Sequence, residues 1–175
     1  GHEINEIWGF ETVGIAKTDA EMQAHLDKVG GQNALGSKWA AGDIMYKDLD
    51  GKAGITKGAE TIDDHGDLKI IGNKNPHYFF SIDLNADWKG FDVRCFFQGV
   101  MKRDYWGGDN YNGMLFGVRG NSSMWHARAF VEHEDYFRAE SIGLSGHEIP
   151  ANLDAYYPRP IFSESDKNQQ TQTRY

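Results

Sequence analysis

The chain has 175 residues, of which 39% are hydrophobic and 13% are aromatic, and its single cysteine is Cys95. This length predicts at most one domain, and the aromatic content excludes a disordered tail. The lone cysteine excludes a disulfide scaffold. The net charge of -8 disfavours nucleic acid as a partner, because gripping a phosphate backbone needs a basic face. We expect no transmembrane helix and no signal peptide, since no apolar run is long enough.

The first part of the chain, residues 1–76, predicts a loop region with short strands and one short helix. Thr18 and Glu21 have the spacing of a capping box, in which each side chain satisfies a backbone amide of the first turn. Apolar residues then recur at helical intervals until Gly30, a typical helix terminator. The pattern therefore predicts a helix over 19–29.

Two acidic turns follow the helix. Asp48 and Asp50 begin like a calcium-binding loop, in which carboxylates at alternate positions converge on one cation. Lys52 stands where a further carboxylate would help, so the pattern favours a plain Asp/Gly turn over a calcium site. The second turn adds three carboxylates that could complete such a site, namely Asp63, Asp64 and Asp67.

The segment 77–101 has the strongest pattern of the sequence. Apolar residues occupy every second position from 78 to 88 and again from 91 to 101, and Lys89-Gly90 lies between the two runs. The positions between them are mostly polar, with Phe79, Phe96 and Val100 as the apolar members. Alternation with period two predicts strands with one apolar and one wet face, so we expect a long β-hairpin over 78–101. The predicted apolar face has twelve members: Tyr78, Phe80, Ile82, Leu84, Ala86, Trp88, Phe91, Val93, Cys95, Phe97, Gly99 and Met101.

Each run is about as long as a tilted transmembrane β-strand, whereas strands of soluble proteins are usually half that length. In a barrel wall the polar face would line the lumen with Asp83, Asp87, Asp92 and Arg94. The alternative is a sandwich or jelly-roll hairpin with one solvated face. The pattern alone leaves both open.

The remainder, 102–175, predicts a loop region with a helix over 122–138 that begins after Asn121 or Ser122. Its aromatic residues lie among carboxylates and amides, a combination that suits sugar recognition. The same rings could instead pack the loops together or meet a partner protein. The candidate ligand-binding residues are Tyr105, Trp106, Tyr111, Trp125, Tyr156 and Tyr157. The polar, proline-broken end predicts that the chain is a piece of a longer protein.

The sequence does not predict an enzyme. It has no Gly-x-Ser-x-Gly elbow, no phosphate-binding loop and no zinc spacing among its seven histidines. Cys95 falls on the apolar face of the hairpin, which favours a packed thiol over a nucleophile. We expect no cofactor and no metal, apart from the weak calcium candidate at Asp48 and Asp50.

Several stretches resemble the C-terminal barrel region of SusC/RagA-type TonB-dependent outer-membrane transporters, which import glycans or peptides into Bacteroidetes-type bacteria. The most specific are Gly42–Asp50, Ile71–Pro76 and Trp88–Gly99, the last reading WKGFDVRCFFQG. The resemblance implies a mainly-β segment of a transmembrane antiparallel β-barrel in the outer membrane. Lys89-Gly90 would then be a periplasmic turn of a barrel hairpin, and most of 1–76 and 102–175 would form large extracellular loops.

The resemblance also implies partners. They are a SusD-like surface lipoprotein, an oligosaccharide or peptide ligand, outer-membrane lipid, and the TonB complex through a plug and TonB box outside this chain. A soluble β-rich carbohydrate-binding module remains the alternative function. A calcium-dependent extracellular adhesion domain is a third, weaker hypothesis.

Overall fold

The computed structural model describes residues 1–104, 131–161 and 167–168. In that part of the chain the structure is mainly β, as predicted, with a single α-helix. The elements are β1 (Glu6–Phe10), β2 (Thr12–Ile15), α1 (Asp19–Val29), β3 (Ile44–Tyr46), β4 (Leu68–Asn73), β5 (Tyr78–Trp88), β6 (Phe91–Met101), a 3-10 turn (Val131–Glu134), β7 (Ile142–Leu144) and β8 (His147–Ile149). These strands form four two-stranded sheets, β1–β4, β2–β3, β5–β6 and β7–β8.

The helix α1 has the predicted bounds, 19–29. The side chain of Thr18 accepts a hydrogen bond from the Glu21 amide at 3.1 Å, and the Glu21 carboxylate accepts one from the Lys17 amide at 2.7 Å. Gly30 ends the helix in the left-handed region, with φ of 79°. Among the described residues, no helix is long and apolar enough to cross a membrane.

The chain divides into two compact units, residues 1–7 with 72–106 and residues 8–71 with 107–175. The first unit contains the hairpin of β5 and β6. Its open end is tied by backbone hydrogen bonds from His77 to Lys102 and from Asp104 to Asn73. The Asp104 carboxylate also accepts a hydrogen bond from the Asn73 amide at 2.8 Å. These bonds fix the point at which both strands leave the hairpin.

The hairpin itself has the predicted register from end to end. Tyr78 pairs with Met101 and Trp88 with Phe91, so every member of the predicted apolar face lies opposite another member. Lys89 and Gly90 both have positive φ, 48° and 88°. A two-residue turn with that geometry matches the twist of the strands it joins, which fixes the register without a bulge.

The second unit holds the hydrophobic core. Its main cluster consists of Phe10, Val29, Ile44, Tyr46 and Ile55. A smaller cluster of Ala16, Met22 and Met45 fixes α1 to β3. Strand β3 has only three residues, but all of them are buried. This short strand therefore anchors the long loop region around it.

The helix predicted over 122–138 lies mostly outside the described residues. Within them, Val131–Glu134 forms only a 3-10 turn, and the helix does not continue to 138. Tyr136 and Arg138 instead make isolated β-bridges to Tyr157 and Asn152. The prediction is wrong there because backbone pairing with distant residues overrides local helix propensity.

Candidate functional site

The hairpin presents its apolar face to the surroundings. Along both strands the side chains are exposed, and Trp88 and Phe91 at the turn expose 68% and 71% of their surface. Cys95 lies on this face as predicted, but it is exposed and not packed as we expected. The reason is that no described residue covers the sheet. Nine large hydrophobic side chains are thus aligned on one surface: Tyr78, Phe80, Ile82, Leu84, Trp88, Phe91, Val93, Phe97 and Met101.

The opposite face carries all four residues predicted to line a lumen. Arg94 donates two hydrogen bonds to the Asp83 carboxylate, with the Arg94 Nε to Asp83 Oδ1 distance at 3.0 Å. Asp87 lies directly opposite Asp92, one step from the turn. The charged groups therefore occupy the turn half of this face. The other half carries Phe79 opposite Val100, and Phe96 lies opposite Asp83, so this face has three apolar members at the positions that the alternation assigned to it.

The acidic turns do meet. Carboxylate oxygens of Asp48, Asp50 and Asp67 lie within 4.8 Å of one another, so only Asp67 of the second turn joins the first. Three carboxylates at this spacing could approach a single hard cation. Asp67 is fully buried, whereas Asp48 and Asp50 are half-buried.

The carboxylate oxygens of Asp48, Asp50 and Asp67 already accept hydrogen bonds from backbone amides. Asp67 accepts hydrogen bonds from the amides of Leu49 at 2.7 Å and Thr56 at 2.8 Å, and the Lys52 ammonium lies 3.2 Å from Asp50. Backbone and side-chain hydrogen bonds from Lys52 lower the pKa of Asp50. These bonds support the interpretation of Asp48–Gly51 as a plain Asp/Gly turn. The Asp67 carboxylate accepts hydrogen bonds from loop amides that have no backbone acceptor. Calcium binding at Asp48 and Asp50 stays a weak hypothesis, now with Asp67 as a third candidate ligand.

A ribbon of tyrosines forms the third candidate. Residues 136–138 pair with distant backbone: the Phe137 amide donates to the Tyr157 carbonyl at 3.0 Å, and the Arg138 amide donates to the Asn152 carbonyl at 3.0 Å. Phe137 points inward and is buried, while Tyr136 and Arg138 on either side of it are half-buried. We call Tyr136, Arg138, Asn152, Tyr156 and Tyr157 the tyrosine ribbon.

Within the tyrosine ribbon the side chains are held in fixed orientations. Tyr156 and Tyr157 meet edge to face with ring centroids 4.9 Å apart. The Arg138 guanidinium lies 4.5 Å from the Tyr136 ring centroid and donates to the carbonyls of Pro150 and Glu134, both at 2.9 Å. The sequence predicted Tyr156 and Tyr157 but not Tyr136 or Arg138. Their signal, alternation around the apolar Phe137, was too short to separate from a helix.

The other predicted ligand-binding residues, Tyr105, Trp106, Tyr111 and Trp125, lie outside the described residues. Tyr156 and Tyr157 are brought together, and both are half-buried. These two tyrosines lie beside a carboxylate, because the Asp135 side chain accepts a hydrogen bond from the Tyr156 amide at 3.2 Å.

Sequence reasoning missed a buried charge cluster around Asp43, which is fully buried. Arg159 donates to both carboxylate oxygens at 2.8 Å, and the Lys167 ammonium lies 2.9 Å from Oδ2. Burial alone would raise the pKa of Asp43, but hydrogen bonds from Arg159, Asn168 and Lys167 outweigh it and lower the pKa. The Asp43 carboxylate in turn raises the pKa of Arg159. No local motif marks this cluster, because its members are far apart in sequence.

Comparison with known proteins gave no match, either to a protein-family model, to a curated protein or to a solved structure.

Proposed function

We propose that this chain is part of a TonB-dependent outer-membrane uptake transporter of the SusC/RagA type. It contributes one hairpin to the barrel wall and loops that face the ligand or a SusD-like lipoprotein. The observation that carries the proposal is the hairpin of β5 and β6, whose apolar and polar faces are both exposed along its two strands of eleven residues, with only Gly99 half-buried.

The length of the strands suits a bilayer. Ten steps of about 3.4 Å give about 34 Å, and a tilt of about 40° reduces this to about 26 Å across the membrane, close to the apolar band of such barrels. Trp88 and Phe91 at one end and Tyr78 at the other would lie at the two interfaces, where aromatic rings are favoured.

The exposure of the apolar face supports lipid as its environment. Soluble monomers rarely expose a contiguous row of large hydrophobic side chains, because that surface gains free energy by leaving water. The polar face could not take that role, since it carries Asp83, Asp87, Asp92 and Arg94. Water in a lumen solvates those charges at no cost.

The unpaired edges of the hairpin are consistent with further strands beside it in the proposed barrel. In the described part of the chain β5 pairs only with β6, so each strand has one row of backbone groups without a ladder partner. Such groups have to be paired within lipid. In the proposed parent protein, adjacent barrel strands pair with them.

A soluble carbohydrate-binding module is the second candidate, and the tyrosine ribbon favours it. Half-buried tyrosine rings lie next to the polar side chains of Arg138 and Asn152, a combination that suits sugar recognition. This candidate leaves the apolar face of the hairpin in water, which is why we place it second.

The size and location of the native protein separate the two candidates. An antibody raised against this chain should detect, in fractionated source cells, an outer-membrane band several times larger than 19.7 kDa. A band near 20 kDa in the soluble fraction would overturn the transporter proposal and support the binding module. A strain lacking the encoding gene provides the blot control.

A further inference from the structure

The apolar face of the hairpin is large enough to form a protein interface. No residue in the described part of the chain covers it, and its nine large hydrophobic side chains expose between 44% and 71% of their surface, from Phe80 to Phe91. A buried aromatic side chain removes about 150–250 Å² from water, so nine large side chains that are about half exposed offer about 1,000 Å². Two such faces in contact would bury about 2,000 Å², and a stable interface between two proteins buries about 1,200–2,000 Å² in total.

The single glycine of the apolar face does not leave a gap in it. The Phe80 ring leans across Gly99, since a Cβ added at Gly99 would lie 2.5 Å from that ring. The ring therefore fills the place that a side chain at Gly99 would take. The cross-strand pairs also follow one another without a bulge along both strands. A second sheet can pack against such a surface at about 10 Å, the usual spacing between stacked sheets.

Charge favours the apolar face over the rest of the surface as a contact between two copies. The chain carries a net charge of -8, so most contacts between copies would bring like charges together. Every member of the apolar face is uncharged, and the charged residues of β5 and β6 all lie on the other face. Lys89 in the turn lies 4.9 Å from the centroid of the Trp88 ring, at the end of the face. An apolar centre with charge only at its rim is typical of the core of an interface.

We propose that in water the apolar face is covered by the same face of a second copy, so that the chain is a face-to-face dimer. Because both copies use the same surface, the contact closes at two chains and leaves no apolar face exposed. The polar faces, with Asp83, Asp87, Asp92 and Arg94, then point outward into water. The dimer concerns the chain outside a membrane and does not depend on the transporter proposal.

Light scattering of the complete chain, eluted from a size-exclusion column in detergent-free buffer, tests the dimer. Interfaces of this size have Kd values from micromolar to picomolar, so the chain at about 20 μM should have a mass of twice 19.7 kDa. Ile82→Arg places a cation in the middle of the apolar face and should give a monomer, because burying an unpaired charge is costly. Ser81→Arg is the matched control: it places the same side chain on the polar face and should stay dimeric.

The thiol of Cys95 provides a second measurement that needs no variant. Cys95 lies on the apolar face and is exposed in a single chain, so the dimer should cover it. A water-soluble maleimide should label Cys95 at least about tenfold more slowly in the folded chain than in the chain unfolded in urea, since the centre of an interface is packed as densely as a protein interior. This measurement decides the question if Ile82→Arg fails to fold, which circular dichroism would show.

Four results would overturn the dimer. They are a monomeric mass of the unmodified chain, a series of larger masses such as edge-to-edge pairing of strands would give, a dimer that persists in a folded Ile82→Arg variant, and labelling of Cys95 as fast in the folded as in the unfolded chain. None of these results bears on the size and location of the native protein, so the antibody test of the transporter proposal stays separate.

Discussion

Arg159 forms a bidentate ion pair with Asp43, which lies 116 residues earlier in the chain: the Nε to Oδ1 and Nη2 to Oδ2 distances are both 2.8 Å. The same segment is fixed by a backbone hydrogen bond from the Arg159 amide to the Gly42 carbonyl at 2.8 Å. Gly42 has φ of 86°, and an added Cβ would lie 2.5 Å from the Phe137 ring and 2.8 Å from the Arg159 Cβ. Glycine is therefore needed where the two segments cross.

The pairing of Asp43 makes the second unit sensitive to acid. Since hydrogen bonds lower the pKa of Asp43 below its ordinary value of 3.8, its contribution to stability is present above that value and is lost as the pH falls through the lower, folded-state pKa. Thermal unfolding followed by circular dichroism should show a drop in Tm below about pH 4. The drop should be smaller in Asp43→Asn, and an equal acid response of both proteins would contradict the assignment.

The acidic turn should be stable without calcium. Asp67 already accepts hydrogen bonds from the Leu49 and Thr56 amides. We therefore expect Tm to change by less than about 1 °C when about 1 mM EDTA or about 1 mM CaCl2 is added, the latter being enough to saturate a typical calcium-sensor site. Asp67→Ala should cost about 2 kcal/mol of unfolding free energy, since the partly buried amides of Leu49 and Thr56 lose their acceptor. Asp48→Ala is the control, because Asp48 accepts one exposed hydrogen bond from Gly51. A rise of several degrees in calcium would show a real metal site.

The N-cap of α1 gives a simpler test of local structure. Thr18→Ala removes the acceptor of the Glu21 amide and should lower the unfolding free energy by about 1 kcal/mol. Thr18→Ser keeps the hydroxyl and should be nearly neutral. Urea denaturation of both variants measures the difference, and equal stabilities would show that the capping box does not contribute.

The two faces of the hairpin should respond oppositely to charge. Ile82→Arg places a cation on the proposed lipid face near the middle of β5 and should cost about 2–4 kcal/mol, enough to impair assembly in the outer membrane. Ser81→Arg, one residue earlier, places the same side chain on the polar face and should assemble normally. Heat-modifiable migration of the proposed parent transporter in gels reports the folded fraction, and equal loss in both variants would argue against a lipid-facing surface.

The hairpin and α1 could be predicted from the sequence because their signals are local. Strict alternation fixes which residues share a face, and a Lys89-Gly90 turn of two residues leaves one register. Thr18, Glu21 and Gly30 similarly set the ends of the helix. These elements would form the same way in many tertiary contexts.

The buried charge cluster and the tyrosine ribbon could not be predicted because their partners are distant. Asn168 reaches Asp43 across 125 residues, and no period in the sequence records such a contact. Tyr136 belongs to a segment with helical composition that becomes extended only because Tyr157 and Asn152 pair with its backbone. Of the acidic residues, Asp67 joined the first turn because a buried carboxylate satisfies several amides, a requirement that sequence alone does not reveal.

The most direct test of the central claim uses thiol accessibility on the two faces of β6 in the proposed parent transporter, in membranes of the source cells or in liposomes. Cys95 lies on the apolar face, and Gln98→Cys in a Cys95→Ser background places a thiol on the polar face. A water-soluble maleimide should label the thiol at 98 and leave Cys95 unlabelled until detergent is added. Equal labelling of both thiols in the intact membrane would contradict the assignment of this hairpin to a barrel wall.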